Sequence, residues 1–298
     1  MSLTIVSTLD EALAAVAAGA RPIAGGTDLV VGARHGKAPL PHRLVAIDRV
    51  DELRQIEQRG GALIIGAAVT HQLLERHPLV VNQWSALADA SALVGSPATR
   101  HLGTIGGNVM NGSPAMDTGA PLAVLNATAE LRSTRGTRHV SMSELWIGPG
   151  RTSAATDELC VAVHLPGRPD QSGSAYVRLE YRRAMEIAVV GAAASIVLHD
   201  DGTIHLASAA LTAVAATILA VEGLDQLDGM SVEQAAAAVA SAASEQAAPI
   251  SDLRASDRYR RHCVGVMARR AVEAAARRAA GEIVAVPVNR TLGIGSGS

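Results

Sequence analysis

The chain has 298 residues, enough for one large domain or two ordinary ones with ample core volume. Hydrophobic residues make up 48% and charged residues 18%, which excludes a disordered chain; aromatics are only 2%, with no Phe, so the core must rest on Ala, Val, Leu and Ile. A net charge of −2, without arginines interleaved with aromatics, gives no electrostatic reason to expect nucleic acid as a partner.

No apolar run reaches the length of a membrane span, and the opening MSLTIVSTLDEAL lacks a signal-peptide layout, so a cytoplasmic protein without a membrane span is expected. Thr8 and Glu11 have capping-box spacing, which predicts a short amphipathic helix ending at Gly19. RPIAGG then reads as a brief strand breaking into a glycine turn, and LVAID (44–48) as a second strand. ALIIGAAV (62–69) is a buried strand, followed by a helix from Thr70 that Pro78 closes. WSALADASALVG (84–95) is a further helix. Two strands are expected around Gly136, and ELCVAVHLP places Leu159, Val161, Val163 and Leu165 on one face of a half-buried strand. GRPDQSGSA (167–175) reads as a linker. Three strands follow (176–183, 187–199 and 203–212), the last two joined by an Asp201-Gly202 hairpin turn. Beyond 214 the chain is alanine-rich and helical; in 256–280, Tyr259, Cys263 and Val266 share a face. The tail TLGIGSGS (291–298) is expected to fray. These elements divide the chain near 170 into a mixed α+β domain and a sheet-plus-helices domain.

Cys160 and Cys263 are too few to ligate an iron–sulfur cluster, and both read as buried free thiols. The ten histidines are scattered: His71 and His77 stand six apart, no HExxH spacing occurs, and no metal site is expected. The unusual stretches are IAGGTDL (23–29) and HLGTIGGNVMNGSPAMD (101–117), the second with four glycines and two asparagines. Glycine pairs let successive N–H groups turn toward a ligand, so each run could cradle a phosphate without lysine. Equally, each pair could simply make a tight turn. Neither run is GxxxxGK[ST] or GxGxxG, which excludes a P-loop and leaves a Rossmann site unsupported.

Taken together, PIAGGTDLV and TRHLGTIGGNVMNGSPAMD, in this order and at this separation, resemble the FAD-binding medium subunit of the molybdenum hydroxylases, the family of carbon monoxide and xanthine dehydrogenases. YRRAMEIAVVGAAASI and SDLRASDRYRRHCVGVMARRAVEAA resemble that family's C-terminal flavoprotein domain, so the likeness covers nearly the whole chain. The resemblance implies an α+β fold: a two-part FAD-binding domain of the vanillyl-alcohol-oxidase/PCMH type over 1–168, a CO-dehydrogenase-flavoprotein-like domain over 175–280, and a tail over 281–298. It implies that Ile23, Ala24, Gly25, Gly26, Thr27 and Asp28 follow the FAD diphosphate, with Gly103, Thr104, Gly106, Gly107 and Asn108 as the opposing wall. Asp117 would accept hydrogen bonds from the cofactor; it could also N-cap the helix beginning at PLAVLNA. Backbone near Val161 would line the adenine side. Arg178 stands where the family often has lysine near the flavin, and a solvated strand arginine is an equal reading. This chain departs from the family's usual loop at Gly112 and Met116.

The resemblance further implies a chain with no catalytic side chain of its own, in which the flavin carries the redox step. A large molybdopterin subunit would oxidise the substrate. A small subunit with two [2Fe–2S] clusters would relay electrons, and FAD would pass them to NAD+, a quinone or oxygen, in a dimer of heterotrimers. Alternatives on the same loops are a stand-alone FAD-dependent reductase or oxidase, a non-catalytic module binding another phosphorylated ligand, and an interaction scaffold.

Overall fold

The computed structural model describes residues 1–36, 38–182 and 184–294; Arg183, expected to close a strand, and the last four residues of the glycine- and serine-rich tail lie outside the described residues. The chain forms two compact units. One comprises Met1–Leu73, Pro97–Gly112 and Asn126–Gly167, and the other Leu74–Ser96, Ser113–Leu125 and Arg168–Ser298.

The first unit holds a parallel sheet in which Arg43–Ala46 lies between Ser2–Ile5 and Arg21–Ile23. The helix Leu9–Ala17 starts at the predicted capping box: Thr8 Oγ1 accepts Glu11 N–H, and the Glu11 carboxylate accepts the N–H groups of Ser7 and Thr8. Its apolar stripe, Ala12, Leu13 and Val16, joins Val45, Ile47, Leu159 and Val161 in one core. A second, antiparallel sheet runs in the order Ile56–Arg59, Ala62–Gly66, Leu159–Leu165, Thr128–Ser133, Gly136–Ser141. Leu159–Leu165 was expected to be half buried. It is instead a central strand in which every residue but His164 is buried, so both of its faces are covered.

The second unit carries an antiparallel sheet of Ser172–Leu179, Val190–Leu198, Ile204–Thr212 and Leu219–Ala220 in chain order, with the helices Val232–Gln246 and Asp257–Ala279. The Asp201-Gly202 hairpin forms as expected, with Gly202 at φ +82°. Residues 172–175, expected to be linker, are strand. Their small size serves packing: a Cβ on Gly173 would stand 2.2 Å from Ala275 O, so the long helix lies directly on the strand's backbone. On that helix the expected face is only partly right. Cys263 is buried, but Tyr259 and Val266 are exposed at 44% and 37%, and Arg260 takes an inward position. Arg260 is stable there because its guanidinium donates to the carbonyls of Val189 and Ala213 and to Asp252.

Pro78 opens the helix Pro78–Gln83 instead of closing its predecessor, which ends at Leu74; its missing N–H costs nothing at a first helical position. Asp89, fully buried on the helix Ser85–Leu93, receives both Nη atoms of Arg278 at 2.6 and 3.0 Å and the N–H groups of Tyr176 and Val288. None of the described helices is long and apolar enough to cross a membrane.

Candidate functional site

The two glycine runs meet within the first unit. Ile23 ends the parallel sheet, its carbonyl accepting Ile47 N–H at 3.0 Å, and the chain turns through 24–28 into the helix Leu29–Arg34. A Cβ at Gly25 would fall 1.8 Å from Leu102 O and 3.0 Å from Gly103 N, so only glycine lets the first run lie on the main chain of the second. Gly26 follows at φ +67°, a conformation glycine adopts at no steric cost. Among the described residues, the main-chain N–H groups of Ala24, Gly25, Gly26 and Thr27 donate to no acceptor of the protein. All four residues remain partly accessible. Consecutive N–H donors left unpaired in an accessible turn make an anion-binding surface.

The second run is built differently. Thr104 Oγ1 accepts Gly107 N–H at 3.1 Å and caps the helix Ile105–Asn111, which sequence reasoning read as loop. Gly103 N–H donates to Thr99 O, Ile105 N–H to Val69 O, Gly106 N–H to Ala67 O and Asn108 N–H to Thr104 O. The expectation of two inward-facing amide cradles therefore holds only for the first run. In the second, the amides of 103 and 105–108 already have acceptors, and Thr104 alone keeps an N–H without one among the described residues. Val161 stands behind this run: its carbonyl accepts Ala67 N–H at 2.9 Å, and a Cβ on Gly106 would come within 2.5 Å of Ala67 Cβ.

His71 was not singled out as a site residue, because a single histidine at a short helix carries no spacing signal. It is 1% exposed, its N–H donates to Gly103 O, and its ring lies 3.4 Å from where a Gly103 Cβ would be. That same Cβ position is 3.5 Å from Thr27 Oγ1, so one spot gathers Thr27, His71 and the second run. Burial, reinforced by the Arg100 charge, pushes the His71 imidazole down to about 4, so it is neutral near pH 7.

Asp117 and Arg178 belong to the second unit, and there they meet each other. Arg178 Nη1 donates to Asp117 Oδ2 at 2.8 Å, and its Nε and Nη2 both reach Glu180 Oε2. Tyr176 O–H donates to Asp117 Oδ1 at 2.9 Å. Arg178 is fully buried, which excludes the solvated strand arginine. Asp117 does not cap the following helix, which spans Gly119–Val124 with Thr118 at the N-cap position; its oxygens are committed to Tyr176 and Arg178. Burial pushes the Asp117 carboxyl up, against the opposing pull of Arg178 and the Tyr176 hydroxyl.

With this geometry in view, comparison with known proteins is direct. Residues 1–168 match the family described as the FAD binding domain in molybdopterin dehydrogenase, and residues 175–275 match the CO dehydrogenase flavoprotein C-terminal domain. The chain is 35% identical over 262 residues to the carbon monoxide dehydrogenase medium chain of Afipia carboxidovorans, covering 87% of this chain and 90% of the relative. It is 31% identical to the xanthine dehydrogenase FAD-binding subunit of Escherichia coli O157:H7, covering 89% and 91%. Its fold superposes on a chain of carbon monoxide dehydrogenase from Hydrogenophaga pseudoflava with a TM-score of 0.87 at 30% identity, covering 93% and 98%. The chain belongs to the family of FAD-binding medium subunits of the molybdenum hydroxylases, and is a FAD-dependent oxidoreductase subunit with that family's two-domain fold.

Proposed function

We propose that this chain is the electron-output subunit of a molybdenum-containing hydroxylase or dehydrogenase. FAD held by this chain would supply the redox chemistry that links [2Fe–2S] clusters on a small partner to an external acceptor, NAD+, a quinone or oxygen, while a large molybdopterin partner would oxidise the substrate. The assembly expected is a dimer of heterotrimers, with the FAD-binding domain over 1–168, the second domain over 175–280 and a tail over 281–298.

The observation that carries this reading is the run of unpaired amides at 24–27, laid on the second run by Gly25. A diphosphate needs hydrogen-bond donors more than it needs a particular cation, and this run supplies them from the main chain. In this reading Ile23, Ala24, Gly25, Gly26, Thr27 and Asp28 hold the diphosphate side. Gly103, Thr104, Gly106, Gly107 and Asn108 form the facing wall, with Thr104 contributing its hydroxyl, and Val161 backs the adenine side. Asp117 and Arg178 are proposed as cofactor-binding residues too, already paired with each other. When bound, FAD supplies the redox chemistry. The protein's own part is to fix the cofactor with rigid donors and to keep His71 neutral behind the second run.

The cysteines fit this division of labour. Both are buried free thiols, and burial, followed by the Glu130 charge, pushes Cys160 up to about 12, so it does not offer the thiolate that a cluster requires.

The test is anaerobic reduction of the complex purified with its neighbouring subunits. Substrate added to the whole complex should bleach the flavin absorbance, and the same substrate added to this chain alone should not. Bleaching of the isolated chain would favour a stand-alone reductase, and a folded chain that cannot be loaded with FAD would remove the reading.

A further inference from the structure

Away from the glycine junction, the hairpin of the second unit carries a cluster of side chains that the flavin role does not use. We propose that His199, His205 and Asp228 form a binding site for a divalent metal of the zinc class, which clamps the hairpin to the loop after Leu227.

The three ligand atoms lie within 4.8 Å of one another. His199 Nε2 is 2.8 Å from Asp228 Oδ1, and His205 Nδ1 is 3.6 Å from the same oxygen. Zinc bonds of about 2.0–2.1 Å in tetrahedral arrangement place neighbouring ligand atoms about 3.3 Å apart, so small side-chain rotations bring these atoms onto one ion. Two imidazoles and a carboxylate suit zinc and disfavour the hard cations, which prefer all-oxygen sites.

The placement rests on main-chain bonds. His199 N–H donates to Thr203 O and closes the hairpin turn. Ile204 N–H donates to Met230 O, and Gly229 N–H donates to Ile204 O, so the loop carrying Asp228 is fastened beside the strand carrying His205. The side chains of the three residues are 42%, 49% and 59% exposed, leaving room for water to complete the coordination.

A second triad, Glu130, His139 and His164, is compact as well. There Arg132 holds Glu130 Oε1 at 2.6 Å, cancelling the carboxylate charge that a cation needs. Among the described residues, no arginine or lysine pairs with the hairpin triad, whose carboxylate meets only the two imidazoles.

Calorimetric titration of the untagged, FAD-loaded full-length chain with Zn2+ tests the site. One zinc ion should bind, with no heat from Mg2+ or Ca2+. His205→Gln and Asp228→Asn should each weaken zinc binding by about tenfold or more while leaving the circular dichroism and flavin spectra unchanged, since both positions are exposed. His139→Gln should leave zinc binding as it is. The proposal is overturned if zinc does not bind, if binding survives undiminished in either hairpin variant, or if it is lost in His139→Gln.

Discussion

The two glycine runs look interchangeable in the sequence, yet they do opposite things with their main chain. Among the described residues, 24–27 leave their N–H groups without protein acceptors, whereas 103 and 105–108 have theirs satisfied by Thr99, Val69, Ala67 and Thr104. The first run is a donor surface and the second is the rigid floor on which it lies. Glycine serves two ends here. At Gly25 it removes a side chain so that two backbones can touch, and at Gly106 it lets a capped helix settle against Ala67. A glycine motif thus identifies close approach, and the hydrogen-bond inventory decides which backbone remains free to bind.

Four changes would break or sharpen this contrast. The largest effect is expected from Asp117→Ala, which asks whether the acid following the second run serves the runs or the charge cluster. It leaves Arg178 buried with one carboxylate fewer, and stability in urea should fall by about 3–5 kcal/mol. Unchanged stability with weaker FAD binding would return Asp117 to the runs. Next, Gly25→Ala forces a methyl into Leu102 O. Overpacking of about 3 kcal/mol corresponds to roughly 100-fold weaker FAD binding, to be measured by flavin fluorescence; retained affinity would show that the runs need not touch.

Third comes acid stability. The unfolded chain protonates His71 near 6.5, whereas the folded chain resists protonation down to about 4. The unfolded state therefore binds the extra proton, and the stability this residue contributes is complete above pH 6.5 and falls away toward pH 4. The loss totals about 3 kcal/mol. His71→Asn should flatten that slope, and equal slopes in the two proteins would contradict a buried neutral imidazole under the second run. The smallest effect is expected from Thr104→Ala, which removes the helix cap at a cost of about 1 kcal/mol in thermal or urea unfolding. A loss several times larger would mean that Thr104 does more than cap.

Much of this was legible in the sequence because the signals were local. The capping box at Thr8 and Glu11, the Asp201-Gly202 hairpin and the two long alanine-rich helices formed as read, although the helical reading from 214 fails at the strand Leu219–Ala220 and the first of those helices starts only at Val232. The pairing of the runs followed from their resemblance to a family, not from spacing. What was not legible depended on distant partners. IGGN has poor helix propensity, and its helix is held by Val69 and Ala67, some forty residues earlier. GRPDQSGSA looks like a linker until the long helix packs on Gly173. Arg178 reads equally as a residue near the flavin or as a solvated one until Asp117 and Glu180 close on it, and nothing near His71 announces its burial.

Hydrogen exchange at single amides, compared between the FAD-free and FAD-loaded chain, tests the central claim most directly. Amides 24–27 should exchange freely without the cofactor and become protected once it binds, while 105–108 should be protected in both states. If 24–27 exchange at the same rate with and without FAD, the first run is not the surface that holds it.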